Sequence, residues 1–390
     1  MSIAADREQE FLSTICAIAD DVAAPNAASV DRDARFPAET LAALREQQAL
    51  SAFIPVELGG GGLPIEAIAA ACFDLGRRCG ASAMVFAMHQ IQVVTIVRHL
   101  DDAPWFADYL RRVVAEQRLI ASATSEIGTG GDMGRSVAAV TPNGAGVTFE
   151  KQAPTVSYGA YADDLFTTLR RSPEAEPGDQ VVALTHKHQM TLEPTGTWDP
   201  MGMRGTCSPG FIVRAEFLPE QVLPTPFPRV SAESMVPVSH ILWSHIWLGI
   251  ATDAFDRARA FVRAAAKRSQ GEVPPAAQRL SHVMSELSLL RAEVRSGLRD
   301  FVEASEEPGR ERLSTMAAAV RFNNLKIAAS EQAPLVCQGA LGVCGIMGFK
   351  NDTPYSTGRH LRDSMSACLM VANERIHQTN ASLLLIAKDV

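Results

Sequence analysis

The spacing of apolar residues changes twice along this chain, and few architectures accommodate that. Toward the C-terminal end Leu280, Val283, Met284, Leu287, Leu290, Val294, Leu298 and Phe301 recur every three or four positions. A stripe of that period predicts a long helix packed in a bundle. A second helix is expected from about Leu313 to Gln338, then a glycine-rich break at 339–348 and a last helix ending near Ala387. The first third has the same texture: Phe11, Ile15, Ile18 and Val22 repeat at helical spacing, as do the stretches 65–75 and 93–100. Gly59 to Gly62, after Ile54-Pro55, mark a loop. In the middle, short apolar runs such as 181–185 and 211–213 alternate with Gly, Pro and Thr, which is strand texture. Thr141-Pro142-Asn143-Gly144-Ala145-Gly146 is a strong turn between two strands. The proline-rich 223–228 cannot be helix interior and reads as a linker. The expected fold class is α+β: an N-terminal helical domain (1–118), a central β-barrel-like domain (119–228) and a C-terminal four-helix bundle (229–390).

Composition narrows the function classes. With 47% hydrophobic and 21% charged residues the chain has a folding balance, not a disordered one. The net charge is −8 and the 36 basic residues are dispersed, so no nucleic-acid partner is expected. No uninterrupted apolar run approaches the roughly 18 residues of a membrane span. The charged start, MSIAADREQEF, does not have the pattern of a secretory signal, so a cytoplasmic location is expected. Seven scattered cysteines without a CxxC pair read as buried thiols. His186 and His188 would share a strand face, but no third ligand follows, so no metal site is expected.

Chemistry concentrates in glycine-rich segments. Ser125-Glu126-Ile127-Gly128-Thr129-Gly130-Gly131-Asp132 follows a strand-like run. Glycine at that density marks backbone that turns sharply or approaches something closely. It is neither a Walker A loop nor a dinucleotide fingerprint, since no Gly-Lys-Ser/Thr and no GxGxxG before a helix follow. The segment resembles the "TEPxAGSD" motif of the acyl-CoA dehydrogenase superfamily. Thr155-Val156-Ser157-Tyr158-Gly159-Ala160-Tyr161-Ala162-Asp163 resembles that family's "WITNGxxAD", and Met201-Gly202-Met203-Arg204-Gly205-Thr206 its "KMGxRGS". Residues 213–223 resemble the strand that closes its β domain, Arg359 to Asp363 its "RD" element, and Ile54-Pro55 with Gly59–Gly62 its "PxxxGGxG". The matches run in order along nearly the whole chain.

The resemblance implies a flavin, usually FAD, between the β domain and the bundle, and a homotetramer or homodimer. It places Ser125, Gly128, Gly130, Thr155 and Ser157 on the flavin. Thr155 replaces the family's Trp, and Ser157 stands where a Thr meets the N5/O4 edge. A hydroxyl is a suitable donor to that edge, and close backbone N–H groups suit a phosphate. A neighbouring subunit would add Arg268 and Gln270, from the "RxxFG" match, and Gly345 belongs to the "QxxGGxG" match. Departures in those two segments bring FMN, or reduced flavin as a diffusing substrate, into consideration beside FAD.

The family's reaction removes an α proton from an acyl thioester while hydride leaves Cβ. The base is a Glu about nine residues after "RD"; here that position is Val371, which cannot take a proton. A positioned base contributes roughly 10²–10⁴-fold, so its loss matters. Some relatives carry the base on the first bundle helix, near His240, and Glu374 lies one helical turn beyond Val371. His240 and Glu374 are therefore the candidate catalytic residues. His89, Val371 and Asn373 are the candidate substrate contacts, with Met84 and Met88 as core or pocket wall.

Two activities on the scaffold, and one non-catalytic role, follow from the resemblance. The first is dehydrogenation of an acyl-CoA or carrier-bound acyl thioester with a relocated base, passing electrons to an electron-transferring flavoprotein. The second is a monooxygenase using reduced flavin and O2, needing no α-proton base and drawing on a flavin reductase. The third is a non-catalytic member that binds flavin or an acyl chain.

Overall fold

The computed structural model describes residues 3–100, 103–268, 273–305 and 310–387. Six helices come first: α1 (Ile3–Ile18), α2 (Ala24–Arg32), α3 (Ala38–Glu46), α4 (Ile65–Arg78), α5 (Gly80–Arg98) and α6 (Pro104–Glu116). A π-helical turn at Ala19–Ala23 joins α1 to α2 without a break. Seven strands follow: β1 (Ile120–Ala123), β2 (Thr141–Asn143), β3 (Gly146–Ala153), β4 (Asp164–Arg170), β5 (Gln180–His186), β6 (Met190–Pro194) and β7 (Phe211–Phe217). The chain then returns to helix with α7 (Phe227–Val230), α8 (Val236–Arg268), α9 (Ala276–Ser305), α10 (Met316–Cys344), α11 (Ile346–Phe349), α12 (Gly358–Met365) and α13 (Asn373–Leu384).

The strands form two sheets. One has the order β1-β4-β5, with β1 parallel and β5 antiparallel to β4. The other has the order β2-β3-β7-β6 and is antiparallel throughout. The expected turn at 141–146 joins β2 to β3, with Gly144 at φ +61°, where a side chain would be strained. β3 alternates buried and outward residues along its length, whereas β4 and β5 are buried almost throughout. The second sheet therefore keeps one wet face and the first lies inside.

Helix α8 is the axis of the helical part. It packs on α4, α5, α9, α10 and α12, and its first half is buried on every side. Contact with α4 is backbone on backbone: a methyl group on Gly76 would meet the Ile246 carbonyl oxygen at 2.8 Å, and one on Gly249 the Phe73 oxygen at 2.4 Å. Helix α5 has the length and mean hydropathy (1.4) of a membrane span, yet 89% of that window is buried inside the protein. It is the core helix between α8 and β1.

Two expectations need correction. The break expected at 339–348 does not occur at Gly339 or Gly342; α10 runs on to Cys344 and ends at Gly345, which has φ +55°. Gly339 stays helical because it seats Val283 of α9, whose Cγ2 would lie 2.7 Å from an added methyl. The cysteines are not uniformly interior. Cys72, Cys79, Cys337 and Cys344 are buried, but Cys16 is exposed and donates to Asp74 at 3.3 Å, and Cys207 and Cys368 are half-buried.

Candidate active site

A cleft of about 600 Å³ opens where α5, α8, the strand-end loops and the segment 362–375 meet. Its two walls differ in chemistry. The sheet side presents hydroxyls from Ser122, Thr124, Ser125, Thr155, Ser157 and Ser208. The helical side presents methionines with Ile91, Trp243 and Leu369.

The hydroxyl wall is ordered by a short relay. Thr206 Oγ1 donates to the Met203 carbonyl at 2.9 Å, which commits its only proton. Ser208 Oγ then reaches Thr206 Oγ1 at 2.9 Å and donates to Ser157 Oγ at 3.0 Å. Ser157 accepts and keeps its own proton uncommitted on the cleft surface. Ser125 Oγ donates to the Thr155 carbonyl at 3.2 Å, tying the two flavin-motif loops together. Behind Ser125, the buried Glu126 carboxylate accepts from the N–H groups of Val137 and Ala138 at 3.0 and 2.6 Å, and Lys151 Nζ lies 3.5 Å away. Burial lowers the Lys151 ammonium to about 8.

The motif around Gly202 and the Arg362-Asp363 pair turn out to be one construction. A methyl group on Gly202 would sit 2.1 Å from the Arg362 carbonyl oxygen, so only glycine lets the two segments touch. Asp363 Oδ1 accepts the Met203 N–H at 2.7 Å, and burial raises that carboxyl to about 6. Arg362 donates through both terminal nitrogens to Asp31, at 2.8 Å for Nη1, and also to the Met201 carbonyl. Its charge is therefore spent on α2 rather than offered to the cleft.

Among the described residues lining the cleft, no Asp, Glu, His or Lys is present; the charged ones are Arg362 and Arg375. This corrects the candidate bases. His240 is buried on the far side of α8, with Nδ1 donating to the Phe322 carbonyl of α10 at 3.0 Å, while its neighbours Ser239 and Trp243 face the cleft. Burial drops its pKa to about 3, so it stays neutral. Glu374 is exposed on α13 and does not line the cleft. The one-turn argument linking it to Val371 fails because Val371 precedes the helix, with φ +47°.

The candidate substrate contacts divide. Val371 lines the cleft. His89 does not: the Ile120 N–H donates to its Nδ1 at 3.1 Å, so Nε2 carries the proton and donates to the Leu50 carbonyl at 2.8 Å. It bolts α5 to β1, and burial lowers it to about 4. Asn373 turns away from the cleft. Its Oδ1 accepts from Lys326 Nζ at 2.6 Å, and its Nδ2 donates to Ser330 and Glu331 at 3.1 Å. Lys326 also donates to the Val371 carbonyl at 3.1 Å, and burial lowers it to about 8. A buried lysine thus holds the bend that carries Val371.

Of the flavin candidates, Ser125, Thr155 and Ser157 line the cleft. Gly128 and Gly130, both at positive φ, shape their loop, but it is Gly131 that reaches the surface. A methyl on Gly131 would come 2.9 Å from the guanidinium carbon of Arg375, so that cation rests on the loop backbone. Arg268 is exposed at the end of α8, and Gly345 terminates α10 outside the lining. Gln270 lies outside the described residues.

Sequence reading missed Trp198, Trp243, Gln92, Arg375 and most of the methionines. No local pattern announces them, because they come from six separate segments. The cleft fits a flavin on this evidence. Trp198 Nε1, Trp243 Nε1 and Gln92 Oε1 are buried without a protein partner, Ser157 retains a free proton, and an exposed guanidinium borders a glycine-rich turn. Ser125, Thr155 and Ser157 would hold the ring, and the 128–131 turn with Arg375 an anionic phosphate.

Comparison with known proteins agrees with this architecture. Residues 5–116 match the family model described as acyl-CoA dehydrogenase, N-terminal domain. The mitochondrial short-chain specific acyl-CoA dehydrogenase of Bos taurus is 24% identical over 355 residues, covering 87% of this chain and 80% of that protein. Among solved structures, KijD3 in complex with FMN and a dTDP-linked amino keto sugar superposes with a TM-score of 0.84 at 20% identity, covering 98% of this chain and 95% of that one. The nitrososynthase of Micromonospora carbonacea var. africana superposes at 0.82 with 20% identity, covering 99% and 98%.

Proposed function

We propose, from the premise that this chain belongs to the acyl-CoA dehydrogenase superfamily, that it is a flavin-dependent monooxygenase rather than an acyl-thioester dehydrogenase. One observation carries the choice: the cleft wall holds no group able to take an α proton, and valine occupies the position of the family's base. Bound reduced flavin would supply the two electrons that let O2 insert one oxygen atom into a substrate. The protein's own residues have more modest tasks. Ser157, fed by the Thr206–Ser208 relay, presents a proton to whatever edge lies against the sheet wall. The apolar helical wall excludes water from a reactive oxygen species. Lys326 fixes the Val371 bend without exposing its ammonium. Oxygen transfer needs no base of the missing kind, so the valine is no defect in this reading.

KijD3 was crystallised with FMN, and the nitrososynthase acts by its name on nitrogen; both likenesses support the reading by fold. Dehydrogenation is the second reading, favoured by the Bos taurus relative. The test supplies the purified chain with reduced FMN or FAD from a separate NADH-driven reductase, under labelled O2. Oxygen consumption coupled to label in an organic product is expected. Flavin bleaching by an acyl-CoA under anaerobic conditions, with no labelled product, would reverse the assignment.

A further inference from the structure

The helical wall of the cleft has an unusual composition. Eight of the 29 lining residues are methionine, whereas the whole chain has 13 methionines in 390 residues. They converge from α5 (Met84, Met88), from the 201–203 turn, from the π-helical turn before α8 (Met235) and from the segment around Met370. Branched aliphatic residues, the usual lining for a saturated chain, are few: Ile91, Leu369 and Val371. Thioethers are polarisable and adaptable, and they contact aromatic rings favourably at the ring edge.

Two polar atoms interrupt this soft wall. Trp243 is 8% exposed and its Nε1–H, a donor only, has no protein partner. Gln92 is 3% exposed; its Nε2 donates to the Met88 carbonyl at 3.2 Å, which leaves Oε1 as an unpartnered acceptor. Buried polar atoms of this kind cost stability unless something pairs with them. A guest on this wall should therefore carry one acceptor and one donor. Charge does not suit it: Arg362 is consumed by Asp31, Arg375 rests on the Gly131 loop of the opposite wall, and no lysine lines the cleft.

We infer that the helical wall receives a neutral, flat, aromatic molecule bearing adjacent hydrogen-bond acceptor and donor groups, such as a ring amide, and not an acyl chain on an anionic carrier. This rests on the cleft being the flavin site of the monooxygenase reading, but it concerns recognition rather than the oxygen step.

The test is calorimetric titration of the flavin-saturated protein with four probes: 2-quinolone, naphthalene, 2-naphthoate and butyryl-CoA. 2-Quinolone should bind about tenfold more tightly than naphthalene, the value of one or two net hydrogen bonds, and more tightly still than the two anions. Trp243→Phe keeps a ring and removes the donor; it should weaken 2-quinolone about tenfold and leave naphthalene and flavin affinity unchanged. Gln92→Met should act in the same way and guards against misfolding of the first variant. Equal affinity for 2-quinolone and naphthalene would overturn the inference, as would tighter binding of butyryl-CoA, or a Trp243→Phe effect confined to the flavin. Quinolone binding of the expected pattern without any oxygenated product would leave this inference standing and sink the monooxygenase reading instead.

Discussion

At the scale of single residues, the decisive substitution is valine for a proton acceptor at 371. The position is unusual in conformation as well as chemistry. A β-branched residue at φ +47° pays roughly 1–2 kcal/mol for the left-handed region. Asparagine tolerates that region, so Val371→Asn should raise stability by about 1 kcal/mol in urea unfolding. A loss of stability would mean that Val371 contributes packing that outweighs its strain. His89 gives a second prediction. His89→Phe leaves the Ile120 N–H and the Leu50 carbonyl buried and unpaired, which should cost about 2 kcal/mol or more. Flavin affinity should hardly change, because His89 lies behind the cleft; a large drop in affinity with intact folding would restore it as a ligand contact. His89 and His240 also mark the limit of sequence reading at this scale. A histidine in a motif neighbourhood looks alike in sequence whether it faces a cavity or donates to a carbonyl. Only the rotation of α5 and α8 about their axes separates the two, and burial on every side of these helices erases the polarity pattern that would report it.

At the scale of elements, the organisation was legible because each element announces itself locally. The stripe from Leu280 to Phe301 became α9, the Gly144 turn became a hairpin, and the strands begin and end close to the changes of texture. What was not legible was which elements touch. The glycine motif at 201–206 and the Arg362-Asp363 pair are some 160 residues apart and form one contact, with Met203 N–H on Asp363. Gly202→Ala should drive the turn off α12, because its methyl would overlap the Arg362 carbonyl oxygen. Flavin affinity should fall about tenfold or more and the unfolding midpoint should drop, as for other overpacked sites. Gly196→Ala, where nothing lies within 4 Å of the added methyl, is the matched control and should be neutral. Equal behaviour of the two variants would show that the 201–206 turn does not shape the site.

At the scale of the whole molecule, three neutral imidazoles are sealed in the helical core. Burial lowers His89 and His245 to about 4 and His240 to about 3, all below the ordinary value of 6.5. Between those values and 6.5 the unfolded chain binds protons that the folded chain refuses. Stability is therefore fully present above pH 6.5 and is lost as the pH falls toward 4, by about 1.4 kcal/mol per unit for each such histidine. Urea unfolding at pH 7 and pH 5 should show a clear loss at the lower pH; no loss would mean that these rings are hydrated. The same compactness explains the cleft. Its methionines and indoles come from both ends of the sequence, and only the closed fold brings them to one wall, which is why their density is invisible in the linear chain.

The most direct measurement is an anaerobic challenge of the flavin-saturated protein with acyl-CoAs of short, medium and long chain, followed by the visible flavin band. A cleft without a proton acceptor predicts that the band persists unchanged with every chain length. Bleaching by any of them would mean that a base reaches the substrate's α carbon, and the monooxygenase assignment would fall.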